Sequence, residues 1–129
     1  MAYNVLIVDD SSIVRKVLMK TFSMTEIPVN TFYQAEHGLA ALEILKDAWI
    51  DIIFLDINMP VMNGMEFIVE LAKDPITAAI PVVVVSTEGS IERKDIFEKH
   101  KVKAYLRKPV SPELLVSTIT KIFEGISDE

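Results

Sequence analysis

The chain has 129 residues, of which 50% are hydrophobic and 25% are charged, with a net charge of −6 and no cysteine. This length suits a single domain over residues 1–129, and the acidic charge excludes a protein that binds nucleic acid directly through a basic surface. The lack of cysteine excludes a disulfide framework, and the lack of a leader sequence or long apolar segment indicates a cytoplasmic protein without membrane insertion.

Five short stretches rich in β-branched and aromatic residues alternate along the chain with segments of helical periodicity. Such stretches are typical of strands buried on both faces. The strands are predicted over residues 5–8, 29–35, 52–55, 82–85 and 104–106. Because strands that alternate with helices are joined by right-handed parallel crossovers, the sequence predicts an α/β fold, a single doubly wound parallel sheet of five strands with five helices.

The first strand ends at Asp9 and Asp10, and Ser11 then provides a good N-cap for a helix. Five apolar residues at helical spacing are expected to form the buried face of this helix, namely Ile13, Val14, Val17, Leu18 and Phe22. Arg15 falls on the opposite side. A second helix is defined by the same kind of spacing at Leu39, Leu42 and Leu45.

The third strand ends at Asp56, and a loop with Pro60 and Asn63-Gly64 leads to the next helix. In an open parallel sheet, ligand crevices form at the carboxyl ends of the strands, so a carboxylate there is positioned for chemistry. An aspartate at a strand-to-helix turn also commonly caps the helix. Asp56 taken alone is therefore consistent with either role.

The fourth strand is followed by Ser86 and Thr87, and the fifth by Lys108. Between these two strands a helix is expected over residues 90–100. Its apolar stripe is thin, which indicates a weakly anchored, moving element.

Five side chains are therefore expected at one edge of the sheet, namely Asp9, Asp10, Asp56, Ser86 and Lys108. Three carboxylates at about 4 Å repel one another by roughly 4 kcal/mol per pair at an effective dielectric constant near 20, so they require a cation. Oxygen ligands without histidine or cysteine favour Mg²⁺, and Lys108 supplies a second positive charge.

Two other kinds of site are excluded by the sequence. A calcium-binding loop that starts at Asp56 would need glycine where Val61 stands. A nucleophilic triad lacks a suitable base, because His37 lies in a polar turn and His100 at a helix end, as solvated surface histidines do.

The sequence resembles the receiver domains of two-component response regulators, and specifically the stand-alone CheY-like proteins of chemotaxis signalling. The resemblance spans essentially the whole chain. It rests on four motifs in family-like order and spacing, namely Val8-Asp9-Asp10-Ser11, Leu55-Asp56-Ile57-Asn58-Met59-Pro60 with Gly64, Ser86-Thr87-Glu88 and Lys108-Pro109. It implies the flavodoxin-like strand order 2-1-3-4-5 and a phosphoprotein of phosphorelay signal transduction, not an enzyme with a separate substrate.

The resemblance implies that Asp56 takes a phosphoryl group from the phosphohistidine of a sensor histidine kinase, or from a small phosphodonor, and later loses it by hydrolysis. The implied Mg²⁺ ligands are Asp9 through water, Asp10, Asp56 and the backbone carbonyl of Asn58. Lys108 would pair with the phosphoryl group, and its bond to Pro109 would be cis.

The residues implied to bind phosphoryl oxygens are Asn58, Ser86, Thr87 and Lys108. Ser86 would be the switch hydroxyl, and Tyr105 the aromatic residue that turns inward when this hydroxyl is recruited. Asn58 and Glu88 stand where the family controls hydrolysis, which implies dephosphorylation within seconds to minutes. Val110 departs from the family pattern, because phenylalanine usually follows the Lys-Pro pair.

The preferred function is a monomeric, single-domain regulator whose phosphorylated form binds a downstream target protein through the face from Ser90 to Leu115. Its phosphodonor would be a sensor histidine kinase or a histidine phosphotransfer protein. The alternatives are a phosphorelay intermediate, a receiver fragment of a longer regulator, and a phosphatase of the haloacid dehalogenase type. The phosphatase would require a second aspartate where Asn58 stands.

Overall fold

A five-stranded parallel sheet is the centre of the computed structural model, which describes residues 2–57, 59–86 and 102–124. The strands are β1 (Tyr3–Val8), β2 (Val29–Ala35), β3 (Ile52–Leu55), β4 (Val82–Ser86) and β5 (Ala104–Arg107). Their order across the sheet is β2-β1-β3-β4-β5, and every neighbouring pair is parallel. The predicted flavodoxin-like α/β class and its strand order are confirmed.

Helices connect the strands and cover the two faces of the sheet. They are α1 (Ser12–Ser23), α2 (Gly38–Asp47), α3 (Gly64–Leu71), α4 (Pro75–Ala78) and α5 (Pro112–Glu124). The single turn α4 is too short to show a periodicity, so the sequence did not predict it. The helix predicted over residues 90–100 lies outside the described residues. In the described part of the chain, no helix has the length and apolar composition needed to cross a bilayer.

A hydrophobic core lies on each face of the sheet. On one face, Leu6 and its neighbours pack against Phe67 of α3. On the other, Ile7 and Phe54 pack against Phe22 of α1 and against α5. Because successive strand residues point to opposite faces, a strand covered on both sides must be apolar throughout. This explains the unbroken apolar runs of the central strands.

The predicted buried face of α1 is partly wrong. Leu18 and Phe22 are buried, whereas Ile13 is 71% exposed and Val17 is 50% exposed. Neighbouring residues are separated by about 100° around an α-helix, so Val17 and Leu18 cannot both face the sheet. In α2, Gly38 is buried and the next residue, Leu39, is 47% exposed.

His37 is not a solvated surface residue, contrary to the prediction. It is the N-cap of α2, it is half-buried, and its Nδ1 accepts a hydrogen bond of 3.1 Å from the backbone N–H of Ala40. An imidazole nitrogen can replace the usual hydroxyl or carboxylate acceptor at an N-cap. The other predicted surface histidine, His100, lies outside the described residues.

Trp49, the one tryptophan of the sequence, is 71% exposed and precedes β3. Its indole N–H donates to Asp51 Oδ1 at 3.1 Å, and its carbonyl accepts a 2.7 Å hydrogen bond from the side chain of Asn4. It therefore lies at the amino end of β3, whereas Asp56 follows the carboxyl end.

Candidate functional site

Asp9 and Asp56 follow the carboxyl ends of two neighbouring strands. The register of β1 and β3 pairs Val8 with Leu55, so the next residue of each strand lies at the same level. The N–H of Asp56 donates to the Val8 carbonyl at 2.9 Å, which continues the hydrogen-bond ladder past the strands. Asp56 does not cap α3, because the N-cap residue is Asn63. The central strands, and not a helix cap, therefore fix the place of Asp56.

Three carboxylates converge at this edge of the sheet. Asp9, Asp10 and Asp56 each offer one oxygen, and these oxygens all lie within 4.8 Å of one another. Asp9 and Asp56 are only 4% and 9% exposed, whereas Asp10 is exposed. The cluster therefore has two buried members and one that faces solvent.

Lys108 reaches the cluster from the end of β5. Its backbone N–H donates to the Ser86 carbonyl at 2.8 Å, and its peptide bond to Pro109 is cis, as the resemblance implied. Its Nζ donates to Asp9 Oδ2 at 2.8 Å and lies 3.6 Å from Asp56 Oδ1. Lys108 thus forms ion pairs with both buried carboxylates but a short hydrogen bond with Asp9 alone.

The pKa of the Asp56 carboxyl is raised above its ordinary value of 3.8. Burial is the main cause, and the negative charge of Asp9 raises the pKa further, as does that of Asp10. The Lys108 ammonium and a hydrogen bond from the Ile57 N–H act in the opposite direction. Asp56 is therefore a more basic carboxylate than an exposed aspartate.

The first residue of α3 packs directly against the backbone of Asp56. The N–H of Gly64 donates to the Ile57 carbonyl at 2.8 Å. A Cβ atom at position 64 would lie 2.8 Å from the Asp56 carbonyl oxygen and 2.8 Å from Ile57 Cα, closer than such atoms approach. Asn63 and Glu66 form a reciprocal capping box at this helix start. Only glycine fits between α3 and Asp56 without a backbone shift.

A strained turn stands in the same loop. The N–H of Met62 donates to the Pro60 carbonyl at 2.7 Å, and Val61 between them has φ of 68°. A γ-turn with positive φ is rare and strained, above all for a β-branched residue. The Met62 carbonyl accepts a 3.0 Å hydrogen bond from the N–H of Gly38, so the start of α2 holds this turn in place.

The other predicted site residues are only partly described. Ser86 is the last residue of β4 and is 8% exposed. Tyr105 is half-buried on β5 and packs against the core that α2 and α3 cover. Asn58, Thr87 and Glu88 lie outside the described residues, and their roles stay predictions.

Arg15 is a residue near the site that the sequence pattern did not single out. Its Nη1 donates to the backbone carbonyl of Asp9, and its Nε donates to Gln34 Oε1 at 3.0 Å. The helical pattern predicts Arg15 on the outer side of α1. Helical side chains point back toward the N-terminus, so a long residue in the second turn can reach the loop before the helix. That general rule was the only signal available.

The donor set of the cluster fits Mg²⁺. Two oxygens bound to one Mg²⁺ at 2.0–2.1 Å can be at most about 4.2 Å apart. Oxygens that already lie within 4.8 Å of one another need only small side-chain adjustments to meet that limit. The exposure of Asp10 also leaves room for the water ligands that Mg²⁺ retains.

Comparison with known proteins gives one consistent family. Residues 5–120 match the family model described as the response regulator receiver domain. Protein PilH of Pseudomonas aeruginosa is 33% identical over 121 residues, covering 94% of this chain and 98% of its own. A chemotaxis protein CheY homolog of Campylobacter jejuni is 32% identical over 125 residues, covering 96% and 95%. The solved structure of chemotaxis response regulator CheY4 of Vibrio cholerae is similar with a TM-score of 0.80 and 32% identity, covering 95% of this chain and 100% of its own.

Proposed function

The chain belongs to the response regulator receiver family, and from that premise we propose that its Asp56 carboxylate accepts a phosphoryl group from a phosphohistidine. One observation carries this proposal. A buried carboxylate of raised pKa has a lysine ammonium at 3.6 Å and two further carboxylates beside it. These are the groups that a phosphoryl acceptor and its counter-charges require.

In the proposed reaction, an oxygen of Asp56 attacks phosphorus in line with the donor's imidazole. The new O–P bond forms as the P–N bond breaks, and the electron pair leaves with the imidazole nitrogen. Burial raises the pKa of Asp56, so its ionised form is a stronger base than an exposed aspartate and attacks phosphorus more readily. Lys108, hydrogen-bonded to Asp9 beforehand, would turn its ammonium toward a phosphoryl oxygen.

Asp10 and Asp56, with Asp9 acting through water, would hold Mg²⁺ in this proposal. The ion would neutralise part of the carboxylate charge and bind a phosphoryl oxygen. The resemblance adds the Asn58 carbonyl as a ligand, at a position outside the described residues.

Phosphorylation would act as a switch through the ends of β4 and β5. A phosphoryl group adds a charge of about −1.5 to −2 and three acceptor oxygens. Charge-assisted hydrogen bonds to Ser86 and Lys108 would contribute roughly 1.5–3 kcal/mol each, which is comparable with the ~5.5 kcal/mol that inverts a two-state equilibrium. Tyr105 is half-buried on β5, three residues before Lys108, and we propose that its side chain responds to the change.

The partners proposed follow from the chemistry of the donor. A sensor histidine kinase or histidine phosphotransfer protein would supply the phosphohistidine, and a target protein would bind the face from Ser90 to Leu115. Residues 90–101 of this face lie outside the described part of the chain. The Campylobacter and Vibrio relatives are named for chemotaxis. We extend chemotaxis-like control of a binding partner to this chain.

The test is intact-mass analysis after incubation with acetyl phosphate and Mg²⁺. We expect the mass of one phosphoryl group on the wild type and on Asp47→Asn, a control at an exposed carboxylate of α2. Asp56→Asn should remain unmodified, and chelation of Mg²⁺ should prevent labelling of the wild type. An unlabelled wild type, or a labelled Asp56→Asn protein, would contradict the proposal.

A further inference from the structure

A cleft of about 290 Å³ lies beside the acidic cluster, between α1 and the segment after β5. Its walls are apolar and include Ile13, Val14 and Val17 on one side and Val85, Pro109 and Val110 on the other. Asp9, Asp56 and Lys108 also line it. The cleft therefore combines aliphatic walls with one charged end.

The cleft is open to solvent, and its volume of about 290 Å³ suits a small organic molecule. An enclosed apolar cavity of about 150 Å³ already accommodates benzene. Four of the lining residues are valines with short side chains, namely Val14, Val17, Val85 and Val110. The space is thus wide enough for a ring or a branched chain with a polar substituent.

The exposed aliphatic residues of α1 form part of the wall of this cleft. Ile13 and Val17 are 71% and 50% exposed, although both line the cleft and neither contributes to the sheet-facing core. A molecule bound in the cleft would cover part of these side chains and gain the corresponding hydrophobic free energy.

The charge at the end of the cleft selects among apolar molecules. Asp9, Asp56 and Lys108 line that end, so two carboxylates face one ammonium and the negative charge exceeds the positive charge by one. An anionic group would be repelled, and a neutral molecule would gain from the walls alone. A cationic group would gain from both the walls and the carboxylates.

We propose that the cleft binds a small amphiphilic cation, a primary amine carried on an aromatic or branched aliphatic body. The body lies between α1 and Val110, and the ammonium points to the oxygens of Asp9 and Asp56. Where these carboxylates also hold Mg²⁺, amine and metal compete, and the amine lowers phosphorylation of Asp56. This second consequence rests on the proposed function, whereas binding of the amine does not.

The binding test uses metal-free protein and the methyl NMR signals of isoleucine and valine. Phenethylamine, phenethyl alcohol and phenylacetate share a similar body and differ in charge. We expect the amine to shift the methyl signals of Ile13, Val17 and Val110 and to bind about tenfold more tightly than the alcohol, with phenylacetate weakest. Equal affinities, or no shift at these methyl groups, would overturn the proposal.

Two variants that fill the cleft locate the site. Val110→Phe places a ring inside it, and Val17→Phe blocks it from the surface of α1 without altering the core. Each should weaken phenethylamine binding about tenfold or more. Val69→Phe, on the exposed side of α3, is the matched control and should leave binding unchanged. Full amine binding by folded Val17→Phe protein would contradict the placement.

Competition is then measured as the Mg²⁺ concentration that gives half-maximal labelling by acetyl phosphate. Saturating phenethylamine should raise this concentration several-fold in the wild type and have no effect in Val17→Phe. Amine binding with an unchanged Mg²⁺ requirement would overturn the position of the ammonium. If no phosphoryl adduct formed at all, the proposed function would fail. The methyl shifts would still show whether the amine binds in the cleft.

Discussion

Asp9 and Asp56 are neighbouring buried carboxylates that differ in their partners. Asp9 accepts a 2.8 Å hydrogen bond from Lys108 and a 2.9 Å hydrogen bond from the Ser11 N–H, and Arg15 binds its carbonyl. Asp56 lies 3.6 Å from the same ammonium, and burial raises its pKa. The strands give both residues equivalent positions, so their different environments come from the loops and from Lys108.

This difference separates a well-paired carboxylate from a poorly paired one. At an effective dielectric constant near 20, Lys108 attracts Asp56 by about 4.6 kcal/mol at 3.6 Å, while each neighbouring carboxylate, at no more than 4.8 Å, repels it by at least about 3.5 kcal/mol. The two repulsions exceed the attraction. The cluster thus stabilises Asp9 and leaves Asp56 with an excess of negative charge that a cation can relieve.

Removal of Lys108 should reduce the difference between the two aspartates and have the largest effect on stability. Lys108→Ala leaves Asp9 buried without its ion pair, and we expect metal-free protein to lose about 3 kcal/mol of unfolding free energy, with Mg²⁺ restoring much of it. Urea denaturation with and without Mg²⁺ measures this. Lys46→Ala, which breaks the exposed pair with Glu43, should change stability by less than about 0.5 kcal/mol.

A Cβ atom at position 64 should disturb Asp56 and spare Asp9. In Gly64→Ala the methyl group meets the backbone of Asp56 and Ile57, and we expect a loss of about 2 kcal/mol together with slower labelling by acetyl phosphate. Gly38→Ala is the matched control. There the new methyl group meets the flexible side chain of Met62, so the loss should be below about 1 kcal/mol. Equal losses in the two variants would show that the backbone contact is unimportant.

Neutralising the two aspartates should change stability in opposite directions. Asp56→Asn removes excess negative charge and should stabilise metal-free protein by about 1–2 kcal/mol, whereas Asp9→Asn weakens the Lys108 pair and should destabilise it. Thermal unfolding in the presence of a chelator tests both signs. Stabilisation by Asp9→Asn would contradict the assignment of Asp9 as the better-paired carboxylate.

The stabilisation by Asp56→Asn should also depend on pH. Burial raises the pKa of Asp56 in the folded protein, so the folded state binds this proton more tightly than the unfolded state. The favourable contribution of protonated Asp56 is present at low pH and is lost as the pH rises through the raised pKa. The advantage of Asp56→Asn should therefore be larger near about pH 8 than near about pH 4.

The smallest expected effect concerns the strained turn after Asp56. Val61→Gly removes the cost of positive φ and should stabilise the protein by up to about 1 kcal/mol, since glycine also loses more entropy on folding. Val116→Gly, at an exposed helical position of α5, should instead cost about 1 kcal/mol. Chemical denaturation of both variants gives the comparison. Destabilisation by Val61→Gly would show that the turn is not strained.

The strands, and the edge of the sheet at which the acidic residues meet, could be predicted because each strand is marked by a short local sequence pattern. Runs such as Ile52 to Leu55 must be apolar when both faces are covered, and parallel strands bring their following residues to one edge. The sequence therefore indicated that Asp9, Asp10 and Asp56 meet.

The buried face of α1 and the partner of Lys108 could not be predicted, because they depend on distances between elements that the spacing of apolar residues does not determine. Apolar spacing marked Ile13 and Val17 as buried, although the sheet covers only the side of α1 that carries Leu18 and Phe22. The Lys108 Nζ lies closer to Asp9 than to Asp56 by less than about 1 Å, so its preferred partner depends on the exact position of the residues that follow β5. No residue pattern records that distance.

The position of the single indole has a practical consequence for experiments on this chain. Trp49 is water-exposed and lies one strand length from Asp56, the proposed phosphoacceptor. Its emission should follow loss of the fold on denaturation and stay nearly constant when ions or phosphodonors are added. A spectroscopist can therefore read global unfolding from this natural chromophore, and an engineered tryptophan at Ile57, next to the acceptor, would report occupancy as a separate signal.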